Sequence, residues 1–335
     1  MSPFRRINRP LLTAAIVIVL FLAVGIAFIA TRASVADEFV ESLATPVDHL
    51  TLLAHSPDGR FTAAGTANGA VVIAHHVGDR VEWIDSGGEV PLTVLAFVSD
   101  ELLLSGNRTG LLRAWQVPDF EVVELDESLP TSITMTCAAF RPVDSSVQMI
   151  LGLADGRLVT IDGTGTRIRR SGHLGVKTLT LSNKNGTLIT AGTEGRIIWH
   201  DLEAESASET RAEHQAEVPV LVLSPDGDRM ASADWDGKIR IWNPTSRKVL
   251  VRFDQSDAVS GLAWVNDLIV TGSWDGQVRV WRVTDAAAEP VTQFDTGRPI
   301  HALTVESATK RILTVSGSDS IDVWRLSTPG GPLER

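Results

Sequence analysis

Two short motifs contain residue types that could bind a metal ion. His75 and His76 form the one adjacent histidine pair, and Asp234-x-Asp236-Gly237 looks like the beginning of a calcium-binding loop. The histidine pair has no third ligand at a useful spacing, and the aspartate motif lacks the distal Glu that a calcium loop requires. An exposed loop pair and a turn aspartate explain these residues better. The sequence therefore predicts no metal site and no cofactor.

Covalent catalysis would require an activated nucleophile, and Cys137 is the one cysteine of the chain. It lies in the segment TCAAF, where a small buried side chain is favoured over a reactive thiol. The sequence has no G-x-S-x-G motif, no Cys/His pairing and no phosphate-binding loop before a helix. We predict no catalytic residue, although a site assembled in space from distant residues stays an open alternative.

The stretch that organises the rest of the chain runs from Ser232 to Asn243 and reads SADWDGKIRIWN. Asp236-Gly237 is a tight-turn dipeptide, because Gly adopts positive φ without steric cost. After the turn, apolar and polar residues alternate through Ile239 and Ile241 to Trp242, which predicts a strand with two distinct faces. The stretch is therefore predicted to be a β-hairpin.

Related hairpins occur along the chain at a nearly fixed interval. Their turn positions are 39 to 46 residues apart, at Gly69, Gly110, Gly156, Gly195, Gly237, Gly276 and Ser320. Each unit also has a first strand, spaced apolar-x-x-apolar-x-apolar, about 18 to 20 residues before its turn. Four short strands in a period of about 40 to 45 residues are typical of a propeller blade, which must stack on its neighbours to bury both faces.

These units resemble tryptophan-aspartate (WD) repeats, and the resemblance covers residues 37 to 335. In that family a buried His, Ser or Thr, Asp and Trp form a hydrogen-bonded network. The fifth unit has all four residue types, at His214, Ser232, Asp236 and Trp242. The sixth unit has Thr271, Asp275 and Trp281, with Gln255 at the histidine position, and the fourth has His173, Thr190, Glu194 and Trp199 at altered spacing. The resemblance implies a structural role for these residues.

The predicted fold is an all-β, seven-bladed β-propeller of four-stranded blades, preceded by one transmembrane helix. The last unit ends after its third strand, so residues 38 to 44 are expected to supply the missing strand and close the seventh blade. The predicted parts are a cytoplasmic tail 1–10, a transmembrane helix 11–30, a linker 31–37, the propeller 38–326 and a C-terminal tail 327–335.

Residues 11 to 30 contain no charged side chain, and their length suits roughly 30 Å of hydrocarbon. Arg5, Arg6 and Arg9 precede this segment, so the positive-inside rule places the N-terminus in the cytoplasm and the propeller outside it. Ser34-Val35-Ala36 has the small-x-small form that a signal peptidase recognises, which would release a soluble form after Ala36. The long apolar run favours a retained signal anchor instead.

The charge balance of the chain is acidic. Without residues 1 to 36, it has 26 Lys and Arg against 41 Asp and Glu, which is a net charge of −15. Nucleic-acid phosphates repel such a domain, and no basic stripe with interleaved aromatic residues offsets this repulsion. We therefore predict that nucleic acid is not a partner.

Trp235 and Trp274 precede the turn aspartate in consecutive units, at the tip of the hairpin between the second and third strands. By the resemblance, that tip lies on the face that these propellers most often use to bind partners. Large aromatic side chains are typical anchors in interfaces. The alternative is that each indole folds back over the neighbouring blade. Arg108, Lys177 and His301 are expected to add polar contacts on the same rim.

The predicted function is a membrane-tethered, non-enzymatic scaffold or accessory subunit that binds membrane-associated protein partners outside the cytoplasm. The rival is an exported enzyme or small-ligand binder that uses the central funnel. Titratable groups converging in the funnel would favour the rival, whereas an apolar, aromatic rim would favour the scaffold.

Overall fold

The computed structural model describes residues 37–44, 49–76, 80–84, 89–123, 134–143, 146–162, 164–182, 184, 186–202, 209–306, 309–317 and 320–326. These residues form 28 strands in seven four-stranded antiparallel sheets, and no helix is present among them. The all-β, seven-bladed prediction is therefore confirmed. No helix in the described part of the chain is long and apolar enough to cross a membrane. The predicted transmembrane helix 11–30, the tail 1–10 and the C-terminal tail 327–335 lie outside the described residues.

Blades 1 to 4 follow one another along the chain, each with its strands in sequence order from the inside outward. Blade 1 contains β2 (Leu50–His55), β3 (Phe61–Thr66), β4 (Val71–His75) and β5 (Arg80–Ile84). Blade 2 contains β6 (Leu92–Ser99), β7 (Leu102–Asn107), β8 (Leu112–Gln116) and β9 (Glu121–Val123). Blade 3 contains β10 (Met135–Val143), β11 (Ser146–Leu153), β12 (Arg157–Asp162) and β13 (Gly165–Arg170). Blade 4 contains β14 (Val176–Leu181), β15 (Leu188–Gly192), β16 (Arg196–His200) and β17 (Glu209–Ala212).

Blades 5 and 6 repeat this order, and blade 7 takes its outer strand from the start of the described chain. Blade 5 contains β18 (Val220–Leu223), β19 (Met230–Ala233), β20 (Lys238–Asn243) and β21 (Lys248–Asp254). Blade 6 contains β22 (Val259–Val265), β23 (Leu268–Ser273), β24 (Gln277–Val283) and β25 (Ala288–Asp295). Blade 7 contains β26 (Ala302–Glu306), β27 (Arg311–Val315), β28 (Ser320–Leu326) and β1 (Asp37–Ala44).

The seventh blade is closed by β1, as the missing strand at the end of the repeat predicts. Strand β1 pairs antiparallel with β28 from Asp37↔Leu326 to Ala44↔Ser320, with one irregularity between Phe39 and Glu41. The Ser42 hydroxyl also donates to Asp322 Oδ1 at 2.8 Å. Because the two chain segments share one sheet, the ring holds together at the point where its ends meet.

The hydrophobic core lies between successive blades, because each sheet is buried on both faces by its neighbours. The inner strands contact one another in ring order, and β2 of blade 1 completes the circle by contacting β26 of blade 7. Between blades 4 and 5, for example, Trp199 and Trp242 pack edge to face with ring centroids 5.4 Å apart. Such aromatic pairs add about 0.5–1.5 kcal/mol beyond the area that they bury.

Candidate functional site: a rim strip above buried hydrogen-bond networks

The hairpin turn of blade 5 is built around Asp234, the third residue before the turn glycine. Its Oδ1 accepts hydrogen bonds from the backbone amides of Asp236 at 3.0 Å and Lys238 at 2.9 Å. Gly237 has φ +78°, and a Cβ there would lie 2.4 Å from the carbonyl oxygen of Gln255. The turn therefore requires glycine both for its backbone conformation and for its close approach to the next loop.

Beneath this turn, four buried side chains of blade 5 form a hydrogen-bonded chain. His214 Nδ1 lies 2.8 Å from Asp234 Oδ2, and His214 Nε2 lies 2.7 Å from the Ser232 hydroxyl. The Trp242 indole donates to the same hydroxyl at 2.8 Å. The prediction that Asp236 supplies the carboxylate is wrong. Asp236 lies at the turn tip with its side chain 55% exposed, whereas Asp234 points inward with none exposed.

The electrostatics of this network favour an ionised carboxylate. Burial alone would raise the pKa of Asp234, but the hydrogen bonds from His214 and from the backbone amides of Lys238 and Asp236 outweigh burial and hold its pKa below the ordinary value. The carboxylate therefore carries its charge inside the blade, where it fixes the histidine and the turn together.

Blade 4 builds the same network with two changes. His173 contacts Glu194 Oε1 at 2.6 Å and the Thr190 hydroxyl at 2.9 Å. The Thr190 hydroxyl also contacts His200 Nε2 at 2.7 Å, and this histidine takes the place that was predicted for Trp199. The strand register explains this difference, since Leu188 pairs with His200 as Met230 pairs with Trp242 in blade 5.

The histidine at this position is held neutral. Burial, together with the positive charge of Arg169 and with His173, lowers the pKa of His200 to about 3. Trp199 instead packs against Trp242, and its indole nitrogen has no hydrogen-bond partner among the described residues. Both groups therefore serve the structure of the blade interface.

In blade 6 the network is shorter. The Thr271 hydroxyl donates to Gln255 Oε1 at 2.9 Å, and the Trp281 indole lies 3.4 Å from the same hydroxyl. Asp275 does not join them, contrary to the prediction. Its carboxylate accepts from Arg279 at 2.7 Å and from the Ser256 hydroxyl at 2.6 Å.

Arg279 and Ser256 also determine the charge state of Asp275. Burial opposes ionisation, but the hydrogen bonds from Arg279, from Ser256 and from the turn backbone lower the pKa of Asp275 to about 2. This aspartate therefore stays ionised at any pH at which the propeller is expected to act.

The two tryptophans of the rim pack edge to face against each other. The ring centroids of Trp235 and Trp274 are 5.1 Å apart and the ring planes make an angle of 84°. Trp235 is half-buried, and its indole nitrogen donates to Glu217 Oε1 at 3.1 Å. Trp274 is 47% exposed, one of the few large apolar side chains exposed in the described part of the chain. The pair thus combines an indole folded onto the next blade with an indole open to solvent.

Polar groups extend this pair at both ends. Lys177 Nζ lies 3.1 Å from Glu217 Oε1, and the His301 ring lies 6.4 Å from the Trp274 ring, edge to face. We name Lys177, Glu217, Trp235, Trp274 and His301 the rim strip, which crosses blades 4 to 7. Glu217 was missed by the sequence reasoning. The Glu217 carbonyl accepts a hydrogen bond from the Trp235 amide at 3.1 Å. This bond pairs the loop before β18 with the hairpin tip, and that pairing is the signal that could have identified Glu217.

Arg108 is not part of the rim strip. It lies exposed on the hairpin tip of blade 2, where its amide donates to the carbonyl of Pro91 at 3.2 Å. Blades 3 and 4 separate it from Trp235 on one side of the ring, and blades 1 and 7 separate it from Trp274 on the other.

An open polar cleft of about 470 Å³ adjoins the rim strip between blades 6 and 7. The turn after Trp274 contacts its wall, because Gly276 O accepts from both the amide and the hydroxyl of Thr296 at 2.9 Å. The cleft is lined by Ser42, Thr296, Arg298, Ser316, Gly317, Ser320 and Asp322. Asp322 already accepts hydrogen bonds from Ser42 and Ser316, so this lining suits polar contacts rather than proton abstraction.

The residues that suggested metal or thiol chemistry have structural roles. His75 and His76 are half-buried rather than exposed as predicted: His75 packs against Phe61 with ring centroids 5.1 Å apart, and His76 Nε2 lies 2.8 Å from the Thr62 hydroxyl. In the described ranges, no three His, Cys, Asp or Glu side chains lie close enough to hold a metal ion. Burial raises the pKa of the Cys137 thiol to about 12, which leaves almost no thiolate at neutral pH.

Comparison with protein families matches residues 208–243 and 247–282 to the family described as WD domain, G-beta repeat. The first match covers the outer strand of blade 4 and the three inner strands of blade 5, and the second covers the outer strand of blade 5 and the three inner strands of blade 6. The chain contains WD repeats. The two matched WD repeats contain the edge-to-face pair of Trp235 and Trp274 and the tryptophan-to-hydroxyl hydrogen bonds of Trp242 and Trp281.

Curated relatives of this WD-repeat chain are distant. A U3 small nucleolar RNA-associated protein 15 homolog of Xenopus tropicalis is 24% identical over 213 residues, which cover 63% of this chain and 41% of the relative. Actin-interacting protein 1 of Drosophila melanogaster is 24% identical over 246 residues, covering 69% of this chain and 40% of the relative. The chain thus matches about two fifths of the length of these relatives.

The fold also resembles a chain in a solved structure. A chain in the crystal structure of a mitotic checkpoint complex superposes with a TM-score of 0.76 and 15% sequence identity, over 91% of this chain and 100% of that chain. At this identity the likeness concerns the fold alone.

Proposed function

We propose that this WD-repeat propeller is a scaffold or accessory subunit that binds a protein partner through the rim strip. The observation that carries the proposal is the edge-to-face pair of Trp235 and Trp274, with 47% of Trp274 exposed on an acidic chain. Interface anchors are enriched in Trp, and a few such residues supply most of the binding free energy. A partner side chain that covers the Trp274 indole would remove this apolar surface from water.

The polar ends of the rim strip support recognition of a protein surface. Lys177 is 36% exposed beside Glu217, and His301 is exposed beside Trp274. Hydrogen-bonding and charged groups at the rim of an apolar anchor fix the orientation of a partner more than they add affinity. The rim strip thus offers one anchor with directional contacts on either side.

Binding through the rim strip is tested by Trp274→Ala, with Leu174→Ala and Arg108→Ala as controls. Leu174 is 79% exposed, so its truncation removes apolar surface without changing the pair of Trp235 and Trp274. We expect Trp274→Ala to weaken partner binding by about 2 kcal/mol, roughly thirtyfold, and the controls to change it little. The measurement is quantitative co-purification of cross-linked partners from intact membranes, after circular dichroism shows a folded propeller. Equal recovery with Trp274→Ala and parent would exclude this surface.

The proposal includes a membrane tether formed by residues 11 to 30, with the propeller outside the cytoplasm. It is supported by the uncharged length of this segment and by Arg5, Arg6 and Arg9 before it. A reporter that is active only outside the cytoplasm, fused after Arg335, should be active. Replacing the three arginines with Glu should weaken or invert this result, and a reporter active only in the cytoplasm would reverse the proposed orientation.

The names of the relatives suggest two kinds of partner, a small nucleolar RNA and actin. For this chain we favour a protein partner, because a net charge of −11 repels a phosphate backbone. The rival function, an enzyme or ligand binder in the funnel, would use converging titratable groups. The His173–Glu194 and His214–Asp234 pairs are instead buried in hydrogen bonds with their own hairpins, which supports the scaffold.

A further inference from the structure

The outer strand of blade 3, β13, is the edge of its sheet and is the longest outer strand that pairs without a register irregularity. All six of its residues pair with β12, from Arg157↔Arg170 to Asp162↔Gly165, without a bulge. The long outer strands of three other blades, β1, β21 and β25, each contain a register irregularity. Bulges and short length are common protections of an exposed edge. Strand β13 has neither, so its free edge is a straight template for a further strand.

The charge of β13 sets it apart from every other outer strand. Its sequence GTRIRR contains three arginines and no acid. Each of the other six outer strands contains at least one acidic residue, for example Glu82 in β5, Glu209 in β17 and Asp254 in β21. The chain as a whole has a net charge of −11. A basic edge strand on an acidic protein is therefore a local reversal of charge.

The hydrogen-bond pattern shows which backbone groups of β13 face outward. The amide of Ser171, just after the strand, donates to the carbonyl of Gly156 at 2.9 Å. In an antiparallel pair the bonded residues alternate, so Arg169 and Arg167 direct their N–H and C=O groups to β12. Ile168 and Arg170 then present theirs to the open edge, where a partner strand could bond to them.

The side chains of the edge are exposed. Ile168 is 46% exposed, and the other large exposed apolar side chains of the described residues, Leu111, Leu174 and Trp274, lie in turns and loops. Arg170 is exposed, and no ion pair within the described ranges holds its guanidinium. Arg167 is 67% exposed and pairs with Asp162 at 2.6 Å. An apolar contact is thus flanked by positive charge.

We infer that β13 accepts an extended, acidic segment of a protein partner as a fifth strand of blade 3. Backbone hydrogen bonds to Ile168 and Arg170 would supply affinity, and carboxylates opposite the arginines would supply specificity. A second copy of this chain does not fit this edge, because two β13 strands would place arginine against arginine. The same charges that prevent pairing between copies select a segment of opposite charge.

The test uses the purified chain and a fluorescein-labelled synthetic peptide of alternating Glu and Val, with alternating Lys and Val as its control. Ile168→Pro removes the outward amide, and an edge strand tolerates Pro where the N–H faces solvent. Ile168→Ala keeps that amide and removes the side chain. We expect fluorescence anisotropy to show binding of the acidic peptide only, lost with Ile168→Pro and weakened at least tenfold with Arg170→Glu.

Ile168→Ala should retain most of the binding, because the backbone bonds remain. Trp274→Ala should bind the peptide like the parent, which separates this edge from the rim strip. The inference is overturned if the basic peptide binds as tightly as the acidic one, or if Ile168→Pro binds like the parent while circular dichroism shows both to be folded.

Discussion

Replacing Asp234 with Ala should destabilise the propeller far more than the same change at Asp236, two residues later. Asp234 is buried and its carboxylate accepts three hydrogen bonds, from His214 and from the amides of Asp236 and Lys238. Asp236 is 55% exposed, and its nearest cation is Lys238 Nζ at 3.8 Å. The two changes remove the same atoms from opposite sides of one turn.

The expected difference follows from what each carboxylate leaves behind. Without Asp234, His214 loses its buried partner, and leaving one buried polar group unpaired costs about 1–3 kcal/mol. The two turn amides lose their acceptor as well, although water reaches the tip and reduces that loss. We therefore expect about 3 kcal/mol for Asp234→Ala. An exposed ion pair contributes at most about 1 kcal/mol, so Asp236→Ala should cost less than that.

Urea unfolding followed by circular dichroism and tryptophan fluorescence measures both free energies of unfolding. Trp242 belongs to the same network and contributes to the fluorescence of the nine tryptophans of the chain. The reasoning would be refuted if Asp234→Ala unfolded at the parent's midpoint, or if Asp236→Ala were the more damaging change. In either case the inward carboxylate would not be the one that stabilises the hairpin.

Three further outcomes follow from other contacts. The pKa of Asp275 is lowered to about 2, so the stability that its ionised form contributes is complete above the ordinary pKa near 3.8 and is lost as the pH falls toward 2. Urea unfolding measured from pH 7 to pH 2 should therefore show a smaller loss of unfolding free energy in Asp275→Asn than in the parent. Gly192→Ala should destabilise the chain by about 1–3 kcal/mol, because a Cβ at this position would lie 2.6 Å from His173 Nδ1 and 2.7 Å from Gly175 O. Thermal unfolding measures this loss, and an unchanged unfolding temperature would contradict the close approach. Deleting residues 37–44 should lower the unfolding temperature, because β28 loses its partner strand, and a variant that melts like the parent would contradict closure by β1.

The architecture could be predicted because its signal is repeated. Seven copies of one hairpin fix the number of blades even where a single copy is weak, as in blade 1, where Ala74 stands at the tryptophan position. Closure by β1 was predictable for the same reason, since counting strands shows that the last unit has one too few. Fixed period and strand count are properties of the whole chain, so local exceptions do not disturb them.

Side-chain partners were harder to predict, because they depend on the direction in which each residue leaves a turn. Asp234 and Asp236 are the same residue type in one tight turn, and only the backbone decides which carboxylate points inward. Similarly, Trp199 and His200 are neighbours in one strand and therefore face opposite sides of the sheet. Sequence alone favoured the tryptophan, whereas the register places the histidine beside Thr190.

Blades 4 and 5 show that the network depends on the reach of a carboxylate to the histidine rather than on one position in the turn. In blade 5 the carboxylate comes from Asp234, three residues before the turn glycine. In blade 4 that position is Gly192, where a Cβ would lie 2.6 Å from His173 Nδ1, so no larger side chain fits. Glu194, one residue before the glycine, has an additional methylene and contacts the histidine at 2.6 Å. The shorter Asp275 occupies the equivalent position in blade 6, where no histidine is present, and pairs with Arg279 instead.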